Sequence, residues 1–241
     1  FLNIIVYILI FAFFGDGIIV FALGFFISKN LYQFKTDDSA IFGLGACFGN
    51  SVAFGIPLMY LILGPVNAMP YIILVLFHGI IHFTYTTLII EYYRNRSQSN
   101  IRKIIKTLIG LAKNIVLFGM FIGFILNYTN TPFPETLQNI LKPIAKIALP
   151  TVLVSLGIGL GGFKIAKNIS YTIILTGLKN FIHPFIAFIL AKYILLLSPL
   201  LVFIVTIAAA LPSGAQTYYF SYRYNSLQNI MSANVVVSTF V

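Results

Sequence analysis

The chain has 241 residues, of which 59% are hydrophobic and only 8% are charged. Soluble domains carry roughly 25% charged residues, so this composition excludes an ordinary soluble domain and indicates an integral membrane protein. The formal net charge is +10, and most of the basic residues lie between the apolar runs. The positive-inside rule accounts for such a distribution, so it does not indicate a nucleic-acid partner. A single cysteine, Cys47, excludes an intrachain disulfide and a multi-cysteine metal site.

Eight apolar segments follow one another along the chain, and their long runs without period-2 alternation predict an all-α membrane protein rather than a barrel. The segments are residues 1–27, 41–63, 70–91, 107–127, 138–162, 169–195, 199–222 and 227–241. Basic and non-basic connections alternate between them without exception, which predicts eight single crossings. The strongly basic loop 92–106 is then cytoplasmic, and residue 1 lies on the outer side.

Both ends of the chain lie inside apolar runs, and the sequence starts at Phe1 without a methionine. We therefore expect a longer protein of which this chain is a part. The first segment has neither a basic start nor a small-residue cleavage site, which argues against a signal peptide.

Within segment 41–63, the stretch 49–60 contains an amide, a serine hydroxyl, two glycines and a proline at membrane depth. Pro57 removes a backbone donor, so we expect the helix to break or kink near that residue. Asn50 needs a hydrogen-bonding partner or water when it is buried. Irregular backbone is tolerated at this depth only inside protein or beside a wet cavity, so the broken stretch is a candidate binding element. Its candidate substrate-binding residues are Asn50, Ser51, Gly55 and Pro57.

Segment 199–222 contains a second break, where proline, glycine and uncharged polar side chains again lie at mid-membrane. The first broken segment runs from the inner to the outer side, and the second runs in the opposite direction. Two interrupted helices in corresponding positions with opposite orientation are typical of an inverted-repeat transporter. The second set of candidate substrate-binding residues is Pro212, Ser213, Gly214 and Gln216.

On this interpretation the first three segments pair with the last three, and the two segments between them have partners upstream of the chain. This arithmetic predicts a five-plus-five helical transporter that lacks its first two spans. Residues 1–93 are then the last three spans of the first repeat, 94–106 the basic loop, and 107–241 the second repeat with an incomplete last span.

These residues resemble the auxin efflux carrier family, which includes the plant PIN-type auxin exporters and bacterial carriers often described as malonate transporters. The resemblance rests on two crossover motifs in order and on two further spans. The matching stretches are 49–58, 211–214 followed by Phe220 and Tyr224-Asn225, 148–160, and Leu178-Lys179 with Pro184. The first of them follows the family pattern Asn-Thr/Ser-x-x-x-Gly-x-Pro-Leu.

The resemblance implies ten spans in two inverted five-helix repeats and a carrier of a small carboxylate, malonate-like or auxin-like. Two departures are visible: Asn114-Ile115 stands where the family often has Asn-Pro, and loop 92–106 is short where many plant members have a long loop. The short loop resembles that of a bacterial carrier and implies a multi-pass protein of the bacterial inner membrane.

Half-helix ends at mid-membrane present oriented N–H and C=O groups, equivalent to roughly half a charge at each end. A half-helix N-terminus suits an anionic group such as a carboxylate. We expect Pro57 and Pro212 each to start a new half-helix, where the missing donor costs nothing. The alternative is that each proline only kinks a packed helix.

Charges inside the apolar segments are costly, so they are candidate functional residues. Asp16 lies in segment 1, and Lys179 and His183 lie in segment 6, its symmetry partner in the predicted repeat. Lys179 could attract an anion, pair with Asp16 or support the crossover by bonding freed carbonyls. Asp16, Lys179 and His183 are together the candidate residues for support or for coupling to H⁺ or Na⁺. His78 and His82 share one helix face, but no third ligand is near, so we expect packing and predict no metal or other cofactor.

The sequence therefore predicts a secondary transporter of a small organic anion that works by alternating access, and not an enzyme. The alternatives are a cation/proton antiporter or a sodium-coupled anion symporter on a similar fold, or a channel. An intramembrane enzyme is disfavoured because the chain has no paired intramembrane aspartates and no Gly-x-Ser-x-Gly elbow. The expected partners are the anion and the lipid bilayer, with no nucleic acid, and a homodimer stays open.

Overall fold

The computed structural model of the chain describes residues 2–94, 122–161 without 124, 127, 130 and 133, and 169–241. The predicted basic loop after Arg94 and most of the predicted span 107–127 lie outside the described residues. All regular secondary structure in the described ranges is helical, and the one addition is an isolated antiparallel β-bridge.

The helices are named here in chain order. They are α1 Leu2–Asn30, α2 Thr36–Cys47, α3 Ile56–Asn67, α4 Met69–Arg94, α5 Glu135–Gly161, α6 Ile169–Ile194, α7 Pro199–Ala210, α8 Ala215–Tyr224 and α9 Gln228–Phe240. A π-helical turn, Ser51–Gly55, precedes α3, and two further π-helical turns interrupt α6.

Three of these helices are long and apolar enough to cross a membrane: Ile4–Asn30 in α1, Met69–Arg94 and Ile169–Ile194. Helix α1 exposes large apolar side chains such as Phe11, Ile18 and Phe26. A helix that is apolar all round suits lipid rather than water. The structure thus supports a multi-pass membrane protein, while the full set of eight crossings stays a prediction.

The first break lies earlier than expected. Helix α2 ends at Cys47, and Phe48 has extended backbone angles (φ −81°, ψ 110°). Helical backbone resumes at Ser51 in the π-helical turn, which continues directly into α3 through Gly55 (φ −70°, ψ −43°), so Pro57 lies inside this half-helix. The half-helix therefore begins at Ser51, and the prediction that Pro57 begins it is wrong. The break itself precedes Pro57 by about two helical turns, since one turn takes 3.6 residues.

The second break is formed differently. Helix α7 ends at Ala210, and the chain stays extended through Leu211 (φ −56°, ψ 143°) and Gly214 (φ −73°, ψ 138°). Because α8 begins only at Ala215, Pro212 lies within the extended link. The prediction that Pro212 starts the second half-helix is therefore wrong, and the fixed φ of this proline instead favours the extended link.

A polar layer separates two apolar clusters in the core. The first cluster contains Phe14 of α1 and Ala187 of α6. The second cluster contains Val20 of α1 and Leu178 of α6. Both breaks fall between the clusters. The buried side chains of the polar layer are Asp16, His78, His82, Lys179 and His183, each at most 4% exposed.

Candidate functional site

The two broken segments cross each other and are joined through their backbones. Gly49 and Ser213 form the antiparallel β-bridge. Asn50 N donates a 2.7 Å hydrogen bond to the Pro212 carbonyl, and Gly214 N donates a 3.2 Å hydrogen bond to the Phe48 carbonyl. The two links thus satisfy backbone groups that the broken helices leave without intrahelical partners.

Close backbone approach explains two of the glycines at this crossing. A Cβ atom on Gly214 would lie 3.0 Å from the Gly49 carbonyl oxygen and 3.1 Å from the Phe48 ring. A Cβ atom on Gly49 would lie 3.3 Å from the Leu211 Cβ. Side chains at either position would push the two segments apart, so the crossing requires glycine at Gly214 and favours it at Gly49.

A tyrosine from α4 supports the first break. Tyr71 Oη donates a 2.7 Å hydrogen bond to the Ser51 carbonyl, and Tyr71 is only 1% exposed. Gly55 allows this approach because its missing Cβ leaves room for the tyrosine ring. Sequence reasoning missed Tyr71, since its hydroxyl reaches the break from 20 residues away and no local motif marks it.

A lysine from α6 supports the second break. Lys179 Nζ donates a 2.5 Å hydrogen bond to the carbonyl of Ala209, in the last turn of α7. A cation at a helix C-terminus satisfies an unpaired carbonyl and complements the helix dipole. This hydrogen bond fits the predicted support of the crossover by Lys179.

Lys179 is also linked to Asp16. His183 lies between them, with Nδ1 at 3.2 Å from Lys179 Nζ and Nε2 at 3.2 Å from Asp16 Oδ1. All three side chains are at most 1% exposed. The structure therefore brings together the three intramembrane ionisable residues singled out in the sequence, and one chain of contacts leads from α1 to the carbonyl end of α7.

A second polar group lies behind the other crossing segment. Ser213 N donates to Ser238 Oγ on α9 (2.9 Å), and Asn180 Nδ2 donates to the Ser238 carbonyl (2.8 Å). Asn234, also on α9, accepts from Thr176 (2.9 Å) and donates to a carbonyl of α2. Sequence reasoning missed these residues because asparagine and serine occur singly in α9 without a motif.

The family relationship agrees with this architecture. A family model described as membrane transport protein matches residues 2–241. This chain belongs to that family. The resemblance to auxin efflux carriers, drawn from the two crossover motifs, is thereby confirmed. No curated protein gave a significant match.

The transporter presents only part of the predicted substrate-binding set at the crossing itself. Asn50, Ser51 and Ser213 lie there and are at most 4% exposed. Ser213 Oγ lies 3.4 Å from Thr217 Oγ1. Gln216 lies in the first turn of α8 and is exposed.

The remaining candidates of the set have other positions. Pro212 contributes its carbonyl to the bridge, and Gly214 contributes its N–H. Gly55 and Pro57 are buried in the π-helical turn and the first turn of α3. Those two residues shape the first break but present no side-chain polar group to a ligand.

The two histidines of α4 pack in this transporter as the sequence indicates. The His78 and His82 rings lie 4.6 Å apart and contact the aromatic rings of Phe13 and Phe48. Within the described ranges no group of three or more His, Cys, Asp or Glu residues could hold a metal ion. His82 Nδ1 lies 2.8 Å from the His78 carbonyl, which fixes its orientation along the helix.

Proposed function

We propose that this membrane transport protein carries a small organic anion, a carboxylate of the malonate or auxin type, and binds it where the two broken segments cross. The observation that carries the proposal is the Gly49–Ser213 bridge. Beside it lies Asn50, which is 3% exposed and carries a side-chain amide. The amide N–H groups of such a side chain can donate hydrogen bonds to a carboxylate at the crossing.

The charges around the crossing favour an anion. The first turn of α8 has N–H groups without intrahelical partners, and helix N-termini attract carboxylates. Lys179 places an ammonium group beneath the bridge, 3.6 Å from the position that a Cβ on Gly49 would occupy. The uncharged groups of Asn50 and Ser51 orient the ligand without holding it too tightly to leave.

Alternating access is the mechanism that this arrangement supports. Helix α5 packs against the π-helical turn Ser51–Gly55, whereas the other described helices form one bundle around the crossing. We infer that α5 belongs to a scaffold against which the crossing bundle moves. The antiparallel meeting of two similarly broken segments supports the inverted five-plus-five repeat, to which eight crossings in this chain correspond.

Location and assembly complete the proposal. The basic loop 92–106 faces the cytoplasm of a bacterial cell, and the protein spans the inner membrane. Its partners are the anion and the lipid bilayer, and a homodimer is the assembly to look for in detergent.

Ligand-dependent stability tests the substrate class. Purified protein is heated with a panel of mono- and dicarboxylates, with and without sodium, because a ligand of the folded state raises the melting temperature. We expect at least one small carboxylate to do so. Labelled acid is then exchanged across proteoliposomes loaded with the same unlabelled acid.

Substitution at the crossing tests the site. Asn50→Ala should lower exchange at least about tenfold, since a hydrogen bond to a charged group contributes about 1.5–3 kcal/mol. Asn67→Ala is the matched control, because Asn67 is exposed at the end of α3. If the Asn50→Ala variant exchanges the acid at the wild-type rate, the crossing is not the anion site.

A cation/proton antiporter is the second candidate, and one observation favours it. Antiporters on similar folds place an acidic residue beside the crossover, and Asp16 reaches this position through His183 and Lys179. Monovalent-cation-dependent proton movement in proteoliposomes without any organic anion would support this candidate. Its absence, together with carboxylate exchange, would leave the anion carrier.

A further inference from the structure

The chain Asp16–His183–Lys179 has a defined direction of hydrogen bonding. An ammonium group has three donors and no acceptor, so the Lys179 Nζ that contacts His183 Nδ1 donates to it. The hydrogen of the neutral imidazole is then on Nε2, which donates to Asp16 Oδ1. This assignment follows from the donor inventory and fixes the His183 tautomer.

One oxygen of the carboxyl group is left over. Asp16 Oδ2 is buried and has no hydrogen-bond partner among the described residues. A carboxylate oxygen only accepts, whereas a protonated one donates, so a proton at Oδ2 changes what this atom can contact. Both ring nitrogens of His78, in the same polar layer, likewise have no partner in the described part of the chain.

The polar layer holds one carboxyl group and one ammonium group. The titratable groups that face them are His183 on α6, His78, His82 and Tyr85 on α4, and Cys47 on α2. With Asp16 ionised, the negative charge balances the Lys179 ammonium. With Asp16 protonated, Lys179 carries a buried positive charge that no described neighbour balances, and such a charge is strongly disfavoured without a counter-ion.

The position of Lys179 connects this balance to the crossing. Its ammonium group holds the Ala209 carbonyl of the second broken segment and lies beside Gly49 of the first. An anionic ligand at the crossing is therefore attracted more strongly when the opposing carboxylate is neutral. Each event, protonation and anion binding, favours the other, and this coupling is reciprocal by thermodynamic necessity.

We propose that Asp16 is a proton-binding site and that one proton travels with each anion through this transporter. This inference rests on the proposed function and adds the coupling ion to it. A proton from water on the loading side forms an O–H bond at Asp16 Oδ2, and the anion binds at the crossing. On the opposite side the O–H bond breaks, the proton returns to water, and the anion leaves. One negative and one positive charge cross together.

Anion binding by the unmodified protein provides the first test. Malonate, or the most stabilising acid of the panel, is titrated calorimetrically in buffers of different ionisation enthalpy, which reports the protons taken up. We expect proton uptake on binding and an apparent Kd that rises up to about tenfold per pH unit above the titration of Asp16, in a range where the acid itself stays fully ionised. Binding without proton uptake at any pH would overturn the inference.

Transport by variants provides the second test. Asp16→Asn resembles the protonated state, so it should keep labelled-acid exchange but lose accumulation driven by a pH gradient. Glu135→Gln is the control, because Glu135 is an exposed carboxylate at the start of α5. Asp16→Glu should restore part of the gradient-driven accumulation. Size-exclusion profiles and exchange activity show that each variant is folded.

The outcomes separate the two proposals. Wild-type exchange without any response to a pH gradient overturns proton coupling and leaves the anion carrier intact. A sodium gradient that drives accumulation in place of the proton gradient also overturns it. Retention of pH-driven accumulation by Asp16→Asn removes Asp16 as the site. A wild-type protein that neither binds nor exchanges any carboxylate overturns the proposed function and, with it, this inference.

Discussion

Tyr71 and Gly55 occupy one space at the first break, because the tyrosine hydroxyl fills the volume that a Cβ atom on Gly55 would need. The same hydroxyl holds the Ser51 carbonyl at 2.7 Å. The hydrogen bond from Tyr71 on α4 to Ser51, 20 residues away in sequence, therefore fixes the shape of the π-helical turn. Gly55 makes this hydrogen bond possible because it has no side chain in the space that the tyrosine hydroxyl occupies.

Gly55→Ala should destabilise the transporter by about 1–3 kcal/mol, because overpacking a tight site forces side chains or backbone to move. The added methyl would also lie 2.6 Å from Leu211 Cδ1. Gly177→Ala in α6 meets nothing within 4 Å and should cost no stability. Melting temperatures in detergent measure both changes.

Tyr71→Phe removes the hydroxyl and leaves the Ser51 carbonyl without its donor, which should cost about 1–3 kcal/mol. Combined with Gly55→Ala, it should recover part of the loss, since the shortest contact of the added methyl, the one to the hydroxyl, is gone and the contact left with the tyrosine is the 2.8 Å one to the ring carbon Cζ. Additive losses in the double variant would show that Tyr71 and Gly55 act independently.

Gly214→Ala should reduce anion exchange at least as strongly as it reduces stability. Its Cβ would lie 3.0 Å from the Gly49 carbonyl oxygen, and the neighbour is backbone that cannot rotate away. The bridge must then widen by a few tenths of an ångström. Exchange rates in proteoliposomes at equal protein content, compared with Gly177→Ala, test this expectation, and unchanged exchange would contradict it.

Asn234→Leu should destabilise the bundle by about 1–3 kcal/mol, because it removes the acceptor of Thr176 and the donor to the Gly45 carbonyl. Asn234 is fully buried, so water does not replace these bonds. Thr176→Val with Asn234→Leu should cost less than the sum of the single changes. A double variant with fully additive losses would contradict a shared hydrogen bond.

Asp37 and Arg94 form an ion pair between the N-terminal end of α2 and the C-terminal end of α4. Two guanidinium nitrogens of Arg94 contact Asp37 Oδ2, the closer at 2.7 Å, and Arg94 also donates to the Tyr224 carbonyl. Partial burial alone would raise the pKa of the Asp37 carboxyl, but the hydrogen bonds from Arg94 and from the Asp38 N–H lower it below its usual value.

Because the pKa of Asp37 is lower in the folded state than in the unfolded chain, the Asp37–Arg94 pair makes stability fall as the pH falls. The pair stabilises the protein above the pKa of Asp37 in the unfolded chain, and this stability is lost as pH falls through the lower folded-state pKa. Arg94→Gln should reduce stability at pH 7 by under about 1 kcal/mol, since the pair is partly exposed, and by less near pH 3. Melting temperatures at the two pH values check this.

Lys192→Gln is the control for that experiment. It removes a cation whose ammonium lies over the rings of Phe188 and Tyr193 and not beside Asp37. Its effect should not diminish between pH 7 and pH 3. A loss for Arg94→Gln that stays constant over this range would mean that Arg94 acts through the Tyr224 carbonyl alone.

The sequence was sufficient to predict both breaks and the transporter family, because proline, glycine and amide residues stand out in a lipid-facing composition. The place of each break was harder to predict. Pro57 and Pro212 look equivalent in sequence, yet one lies in a helical turn and the other in an extended link. Proline fixes φ near −65°, which suits both conformations, so the residue alone does not distinguish them.

The supporting side chains could not be predicted for a different reason. Asp16 and His183 are separated by 167 positions, and their contact depends on how α1 packs against α6. Tyr71 and Asn234 lie in helices with no marked motif. Long-range contacts of single polar residues depend on helix rotation and side-chain rotamers, which hydropathy patterns do not specify.

The bridge at the crossing joins backbone atoms only, through Asn50 N, the Pro212 carbonyl, Gly214 N and the Phe48 carbonyl. Side-chain identity at Asn50 is therefore independent of the contact that keeps the two segments together. Ligand preference can then diverge between relatives, or be redesigned in the laboratory, by exchanging that side chain while the scaffold is retained.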